Sequence, residues 1–352
     1  MKADLPPLTP AAVFKYSTSS PIPTSTRFQR IMVTGARGFA GEFLWPMLRE
    51  VFPEAHIWLT QQHPSHAPND DTPRLHRHVM DIEDPFSVQR VLEDARPDAV
   101  IHLAGHSNVR DSWELAHATY TTNVMGTLNL VQGLIGLEQP VRFVNVGSGD
   151  VYGALPQESL PFRESQVPRP ASPYAASKLG GEYVALQHSI SYPRLDVVLL
   201  RPFAHTGPGQ NPDFVCPAFA RQIAMIEAGM QDPVMRVGNL TARRDLSDVR
   251  DIARAYVMAL LHAPSRQIFN VSQGIARPIQ GILETLVSLS TRKIELQTDP
   301  SLLRPVDTPV ILGDSTAFRE STGWEPIIPF ERTLEDTLDW WREHIHHLHP
   351  AR

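Results

Sequence analysis

Short apolar runs alternate with longer stretches of helical length over the first two thirds of the chain. The runs are short and mostly apolar, which is the pattern of parallel strands that are covered by helices on both faces. Leu115–Leu137 and Tyr174–Ser189 are the two longest helical stretches between them. The pattern predicts strands at Ile31–Thr34, His56–Thr60, His76–Met80, Ala99–Leu103, Arg142–Val146 and Asp196–Leu200. Such alternation predicts an α/β fold, with a doubly wound parallel sheet.

The regular alternation loosens beyond Arg201, where Pro and Gly cluster in residues 202–212. This change predicts a smaller C-terminal domain that is partly interleaved with the first. We expect the sheet domain to cover residues 29–204, and residues 205–345 to form mainly the second domain, with segments that return to the sheet. A last helix is predicted by one apolar stripe, which consists of Phe330, Leu334, Leu338 and Trp341.

Both chain ends are expected to lie outside the folded domains. Residues 1–28 are rich in Pro, Ser and Thr and lack the apolar core of a signal peptide, so a mobile extension is predicted. Residues 346–352 are predicted to be a solvated tail. The histidines at this end show no metal-ligand spacing, so no metal site is expected; they are His344, His346, His347 and His349.

Composition excludes several classes of function. The net charge of −6 and the pI near 6.2 argue against a nucleic-acid or membrane surface. A single cysteine, Cys216, cannot form an internal disulfide and suits a reducing cytoplasm. No apolar run approaches the roughly 18 residues that a transmembrane helix needs.

A glycine-rich turn follows the first predicted strand. The glycines are Gly35, Gly38 and Gly41, and a helical run begins among them. Such a turn lets backbone N–H groups and a helix N-terminus approach a pyrophosphate, because the helix dipole favours anions there. The spacing therefore predicts a dinucleotide-binding turn.

A second pattern carries acid–base chemistry. Tyr174 and Lys178 are four residues apart, so both side chains lie on one face of a helix. We expect the ammonium group to lower the pKa of the phenol, which then exchanges a proton during carbonyl–alcohol chemistry. Ser148, just past the fifth predicted strand, is expected to orient the same substrate oxygen with its hydroxyl.

These motifs together resemble the extended short-chain dehydrogenase/reductases that act on nucleotide sugars, and the likeness runs from about Arg30 to Trp341. The resemblance implies a Rossmann-type fold and a homodimer formed through the long helices. It also implies a set of cofactor-binding residues. These are Gly35, Arg37, Gly38, Phe39, Gly41, Asp81 at the adenine, Ile82, Leu103 and Ala104 beneath the cofactor, Tyr174 and Lys178.

The identity of the cofactor depends on the end of the second strand. An enzyme that uses NAD commonly has an acid there for the ribose 2′-OH, whereas this chain reads Thr60-Gln61-Gln62. Arg37 lies in the glycine turn, where related NADP-using reductases carry an arginine for the 2′-phosphate. NADPH is therefore expected, with NADH as the alternative.

The substrate and the reaction are implied by local segments. Residues 201–210 read R-P-F-A-H-T-G-P-G-Q, which resembles a segment of GDP-sugar reductases and dehydratases, although Ala204 replaces the usual Asn. The resemblance assigns substrate contacts to four residues, namely His205, Arg244, Arg304 and Asp307. Gly149 stands where dehydratases carry an acid or a serine, and Asp150 replaces their glutamate. Asp150 is kept as a catalytic candidate.

The activity that the resemblance implies is NAD(P)H-dependent reduction of the C4 ketone of GDP-4-keto-6-deoxy-D-mannose. The catalytic residues would be Ser148, Tyr174 and Lys178, and the resemblance implies GDP-D-rhamnose as the product. Elimination of water by a GDP-mannose 4,6-dehydratase is the main alternative, and epimerisation of another nucleotide sugar is a further one. A redox-sensing binding module of the same fold is disfavoured, because such proteins typically lose the tyrosine or the lysine.

Overall fold

A central sheet of seven parallel strands organises the protein. The structure is a computed structural model, and it describes residues 22–63, 73–154, 156–302 and 308–348. In these residues the strands are β1 (Arg30–Thr34), β2 (His56–Gln61), β3 (Leu75–Val79), β4 (Ala99–His102), β5 (Val141–Val146), β6 (Leu195–Pro202), β7 (His205–Thr206), β8 (Val234–Val237), β9 (Arg243–Asp245), β10 (Ser247–Asp248), β11 (Ile268–Val271), β12 (Ala276–Pro278), β13 (Glu295–Thr298) and β14 (Val310–Ile311).

The strand order in the central sheet is β11-β6-β5-β4-β1-β2-β3. The chain therefore starts in the middle of the sheet, builds one half outward from β1 to β3, and then crosses to β4 to build the other half. The carboxyl ends of β1 and β4 lie side by side at this crossing, which is where a doubly wound sheet binds ligands. This arrangement confirms the predicted fold class, and all six predicted strands are present.

The seventh strand, β11, was not predicted. Its sequence is only Ile-Phe-Asn-Val, and the buried Asn270 interrupts the apolar run. It pairs in parallel with β6, so a segment from the C-terminal part of the chain completes the central sheet. The remaining strands form three small sheets, namely β7 with β10, β8 with β13, and β9 between β12 and β14.

Helices cover both faces of the sheet and contribute to two apolar clusters. In the described ranges they are α1 (Phe39–Val51), α2 (Pro85–Ala95), α3 (Asp111–Glu114), α4 (Ala116–Tyr120), α5 (Gly126–Gly136), α6 (Pro173–Ser191), α7 (Val215–Glu227), α8 (Val249–His262), α9 (Ile279–Ser288), α10 (Thr316–Thr322) and α11 (Phe330–Leu348). The predicted stripe of α11 is confirmed, because its four apolar residues are all buried. None of the helices in the described ranges is both long and apolar enough to cross a membrane.

The prediction of one continuous helix over Leu115–Leu137 is wrong. A π-helical turn at Thr121–Met125 separates α4 from α5, and Asn123 lies within it. Such turns add one residue to a helix and frequently mark functional sites. The second long helix begins where the sequence indicates a start, because the Ser172 hydroxyl accepts from the Ala175 N–H at 3.1 Å and Pro173 follows it.

The ordered fold extends beyond both predicted limits. Residues 22–28 belong to the predicted mobile extension, yet Ile22 and Phe28 are buried, and the Phe28 ring lies 6.1 Å from that of Phe52. At the other end, α11 continues to Leu348, so the predicted tail begins inside a helix. The His344 ring stacks on Trp340 at 4.3 Å instead of lying in a solvated tail. Residues 1–21 lie outside the described residues.

Candidate active site

Gly35 and Gly38 lie in the turn between β1 and α1, and Gly41 lies in the first turn of α1. Gly35 has φ of +66°, and a Cβ there would lie 2.7 Å from the Cα of Ala104. A Cβ on Gly41 would lie 2.5 Å from the carbonyl oxygen of Ala36. Only glycine permits both approaches, because it has no Cβ and tolerates positive φ. Gly38 precedes Phe39, the first residue of α1, so the helix starts directly beside the turn.

The predicted residues after β4 lie directly against this turn. The backbone of Leu103 and Ala104 contacts Gly35, and the Ala104 N–H donates to the Thr34 hydroxyl at 3.2 Å. Below them, Thr34 Oγ1 is 2.7 Å from Nδ1 of His102, and Nε2 of His102 is 3.1 Å from Thr127 Oγ1. Burial lowers the pKa of His102 to about 3. A neutral imidazole therefore ties the two turns and α5 together.

Asp81 and Ile82 follow β3 on the same edge of the sheet. The Asp81 carboxylate accepts from the Glu83 N–H at 3.0 Å, and the Asp81 N–H donates to Ser87 Oγ at 3.1 Å. Ile82 is buried with its side chain against Gly126. Both residues therefore shape the segment before α2, and contact of Asp81 with an adenine stays a prediction.

Ser148, Tyr174 and Lys178 are brought together at the carboxyl end of β5. Tyr174 is in the first turn of α6, and its phenol hydrogen-bonds the Ser148 hydroxyl. Lys178 lies one turn later, and its Nζ donates to the carbonyl oxygen of Val146 at 2.7 Å. Two further hydrogen bonds hold the set, from the Tyr174 N–H to Ser112 Oγ at 3.2 Å and from the Asp150 N–H to Ser148 Oγ at 3.1 Å.

The predicted electrostatic effect on the tyrosine is wrong. The pKa of Tyr174 is raised, first because the phenol is buried and second because the Asp150 carboxylate lies nearby, and only the Ser148 hydrogen bond opposes these effects. The pKa of Lys178 falls to about 8, because burial disfavours its charged form. Burial therefore decides both pKa values. The phenol keeps its proton at neutral pH, which is the form that donates a proton.

Gly149 carries no catalytic side chain, and the space beside it is tight. A Cβ there would lie 3.0 Å from three carbon atoms of the Phe203 ring. Phe203 is itself fixed in a small aromatic cluster with Tyr152 and Phe162. Asp150 is the acid that remains at this site. It lies in the short 3₁₀ turn that Ser148 begins, within electrostatic reach of Tyr174.

Asn123 is a site residue that the sequence reading missed. Its Nδ2 donates to Ser177 Oγ at 2.8 Å and to the His106 carbonyl at 3.1 Å, and its Oδ1 accepts from the His106 N–H at 2.8 Å. It therefore ties the loop after β4 to the helix that carries Tyr174 and Lys178. Thr121 and Thr122 directly precede Asn123, so the local sequence does not set it apart, and the π-helical turn that orients it depends on these tertiary contacts.

Only two of the four predicted substrate residues lie in the described part of the chain. His205 stacks on Phe39 with ring centroids 6.0 Å apart, so it contacts the cofactor-side helix, and burial lowers its pKa. Arg244 lies on β9, where its guanidinium donates to the carbonyl oxygens of Arg243 and Thr308 at 2.9 and 2.7 Å. Arg304 and Asp307 lie outside the described residues. The substrate roles of all four stay predictions.

Arg37 is not free in the structure. Its Nη1 lies 2.6 Å from the Glu42 carboxylate, an acid that the sequence reading did not consider. Arg37 lies just before α1 and Glu42 lies in its first turn, so the five-residue spacing was the feature of the sequence that could have indicated this pair. In the described part of the chain, no cluster of His, Cys, Asp and Glu is arranged to bind a metal.

A family model described as GDP-mannose 4,6 dehydratase matches residues 32–337, which include the sheet and the site. The chain belongs to the GDP-mannose 4,6 dehydratase family. It is 34% identical to a GDP-6-deoxy-D-mannose reductase of Pseudomonas aeruginosa, over 90% of this chain and 98% of the relative. A GDP-mannose 4,6-dehydratase of Vibrio cholerae is 26% identical over 88% of this chain and 93% of its own length.

Solved structures give the same picture. The structure of RMD from Pseudomonas aeruginosa in complex with NADPH matches with a TM-score of 0.78 and 32% identity. The match covers 90% of this chain and 99% of that one. Within the GDP-mannose 4,6 dehydratase family, the chain is thus similar both to reductases and to dehydratases, and the residues of the site have to distinguish the two reactions.

Proposed function

We propose that this chain reduces the C4 ketone of GDP-4-keto-6-deoxy-D-mannose to give GDP-D-rhamnose, with NADPH or NADH as the donor. The observation that carries the proposal is the pair Ser148 and Tyr174, joined by a hydrogen bond beside Lys178, with a glycine and not an acid at position 149. The 34% identity to a reductase over 90% of this chain supports the same reaction.

The turn after β1 fits a nicotinamide dinucleotide. A Cβ at Gly35 or Gly41 would meet backbone atoms, so the turn is built from close backbone approaches that leave N–H groups beside the start of α1. Gly35, Gly38 and the start of α1 would hold the pyrophosphate, and Lys178 would hold the nicotinamide ribose. When bound, the reduced cofactor supplies the hydride that reaches C4.

The residues of this chain supply the rest of the chemistry. Ser148 donates a hydrogen bond to the carbonyl oxygen at C4 and polarises the bond as negative charge develops there. Tyr174 then donates its phenolic proton to that oxygen, so the alkoxide becomes a hydroxyl and the tyrosinate is left to regain a proton. The raised pKa of Tyr174 keeps this proton available at neutral pH.

The rival reaction needs a more complete set of acid–base groups than this site carries. Elimination of water across C5 and C6 requires an acid–base residue that removes the C5 proton. Gly149 has no side chain, and the Phe203 ring occupies the space that one would need. Asp150 is one methylene shorter than the glutamate of dehydratases, and in this structure it lies in the turn beside Ser148.

A two-substrate assay tests the proposal. Purified protein receives GDP-4-keto-6-deoxymannose with NADPH or NADH, and separately receives GDP-mannose with NADP. We expect oxidation of the reduced cofactor with the keto sugar and no conversion of GDP-mannose. Conversion of GDP-mannose without net consumption of cofactor would instead establish a dehydratase. The Tyr174→Phe variant is the control for background oxidation.

We also propose that the enzyme is a homodimer. Exposed apolar side chains are concentrated on α3, α4, the π-helical turn and α6, namely Trp113, Tyr120, Met125, Tyr183 and Ile190. Tyr183 and Ile190 are seven residues apart and lie on one face of α6. We expect a second copy to cover this face. Sedimentation of the wild type should give twice the chain mass, and Tyr183→Lys should shift it to monomer; a monomeric wild type would contradict the proposal.

We infer a cytoplasmic location, where NADPH and GDP sugars are supplied.

A further inference from the structure

Glu42 is a buried carboxylate at the edge of the cofactor turn. It lies in the first turn of α1, and the residue is only 3% exposed. Its carboxylate lies 2.6 Å from Nη1 of Arg37 and accepts from Nε1 of Trp45 at 3.3 Å. A buried carboxylate is stable only with such partners, so the pair with Arg37 is a fixed part of the folded site.

Arg37 is located where the adenosine ribose of a dinucleotide has to lie. The Ala36 N–H donates to the carbonyl oxygen of Thr60 at 3.1 Å, which holds the glycine turn against the end of β2. In doubly wound folds, the residues at this point distinguish a ribose 2′-OH from a 2′-phosphate. The next two residues, Gln61 and Gln62, carry no charge of either sign. Among the described residues at this point, Arg37 and its partner are the charged groups that can make this distinction.

A second arginine faces the same carboxylate. Arg77 lies on β3, with its guanidinium 5.6 Å from the Trp45 ring centroid. The charges of Arg37 and Arg77 both lower the pKa of Glu42, while burial raises it by more. Among the described residues, Nε of Arg77 is buried without a hydrogen-bond partner. Two cations therefore share one carboxylate, and the cluster has a positive charge left for an anion.

We propose that Glu42 sets the preference between NADPH and NADH by competing with the 2′-phosphate for Arg37. A 2′-phosphate binds best through the planar guanidinium fork, and Nη1 of that fork already contacts the buried Glu42 carboxylate, so the phosphate has to compete with this ion pair. A ribose 2′-OH makes no such demand. The carboxylate thus weakens the binding of the phosphate form selectively. This inference rests on the proposed use of a nicotinamide dinucleotide.

The test measures binding, not turnover. Isothermal titration with 2′,5′-ADP and with 5′-AMP reports the ribose end alone, because both compounds lack the nicotinamide. Glu42→Gln keeps the shape and an acceptor for Trp45 but removes the charge. We expect this variant to bind 2′,5′-ADP about tenfold more tightly, the size of one charge-assisted hydrogen bond. Binding of 5′-AMP should change less than about twofold, on the same scale.

Two further variants show whether Glu42 acts through Arg37. In an Arg37→Gln background, Glu42→Gln should no longer improve the binding of 2′,5′-ADP. Glu50→Gln, which removes the same charge from an exposed position on α1, should leave both affinities unchanged. If Glu42→Gln does not fold, Glu42→Asp keeps the charge but shortens its reach, and a smaller gain in the same direction is expected.

Several results would overturn the inference. The first is that Glu42→Gln does not bind 2′,5′-ADP more tightly than the wild type does. The second is that its affinity for 5′-AMP rises by the same factor. The third is that Glu42→Gln improves the binding of 2′,5′-ADP to the same extent in the Arg37→Gln background. Failure of the underlying function would look different. In that case neither 2′,5′-ADP nor 5′-AMP would bind to the wild type. The inference alone fails when both compounds bind to the wild type and Glu42→Gln does not change their affinities selectively.

Discussion

Replacing Lys178 by methionine should stabilise the protein without cofactor while abolishing its activity. Lys178 is charged at neutral pH although the folded site disfavours the charge, which lowers its pKa from 10.5 to about 8. A methionine has a similar length and no charge to desolvate. Active sites commonly carry such stability costs for the sake of function.

The magnitude follows from the shift of the lysine pKa. A fall from 10.5 to about 8 corresponds to about 3 kcal/mol at pH 7, at 1.36 kcal/mol per pKa unit. The side chain is partly exposed, so we discount this to about 2 kcal/mol for solvent screening. The variant also removes the donor to the Val146 carbonyl, which costs about 1 kcal/mol. The variant should therefore be more stable by about 1 kcal/mol at pH 7.

The pH dependence gives the sharper test. Between about pH 8 and pH 10.5, the folded Lys178 binds fewer protons than the unfolded lysine does. The wild type therefore gains stability relative to the variant as the pH rises through this window, and loses it as the pH falls. Urea unfolding of both proteins at pH 7 and pH 10.5 measures the difference, which should move by about 2 kcal/mol in favour of the wild type.

The exposed Lys293 provides a matched control, because Lys293→Met should show no such movement. The reasoning about burial is refuted if the stability difference between wild type and Lys178→Met is independent of pH. A difference that moves in favour of the variant as the pH rises would refute it equally.

Three other substitutions have definite expected results. Tyr174→Phe should reduce turnover by at least about a hundredfold and leave binding of the GDP sugar nearly unchanged, since only the donated proton is lost; a kinetic assay with titration of the sugar separates the two. Asp150→Asn removes a charge that raises the pKa of Tyr174, so the alkaline fall of kcat/KM should move to lower pH, and a fall that moves upward contradicts the assignment. Gly35→Ala should destabilise by more than about 1 kcal/mol because of its positive φ, whereas Gly136→Ala, at an open helical position, should not destabilise; thermal unfolding compares them.

The sequence was sufficient for six of the seven strands of the central sheet, because most of these strands are short, mainly apolar runs. It failed for β11, where the buried Asn270 breaks that run while its side chain bonds the Phe162 carbonyl at 2.9 Å. It failed again at the π-helical turn, because Asn123 adopts that conformation through contacts with loop and helix residues far along the chain. Local patterns do not contain such long-range hydrogen bonds.

The candidate site, like the fold, was predicted from the sequence only in part. The spacing of Tyr174 and Lys178 correctly placed both on one helix, since helical geometry alone determines this. The direction of the tyrosine pKa shift was wrong, because burial of the phenol exceeds the other effects and burial is a property of the whole fold. Similarly, the sequence of the glycine turn indicated Arg37 as a ligand for phosphate. It did not indicate that the Glu42 carboxylate already pairs with this arginine.

Transfer of deuterium tests the central claim most directly. The protein is given GDP-4-keto-6-deoxymannose with NADPH that carries deuterium at the transferred position, and the product sugar is examined by NMR. The account predicts one deuterium at C4 of GDP-D-rhamnose, none at C5 or C6, and an equal amount of oxidised cofactor. A product without deuterium at C4, or no consumption of NADPH, would contradict the assignment of this chain as a C4 reductase.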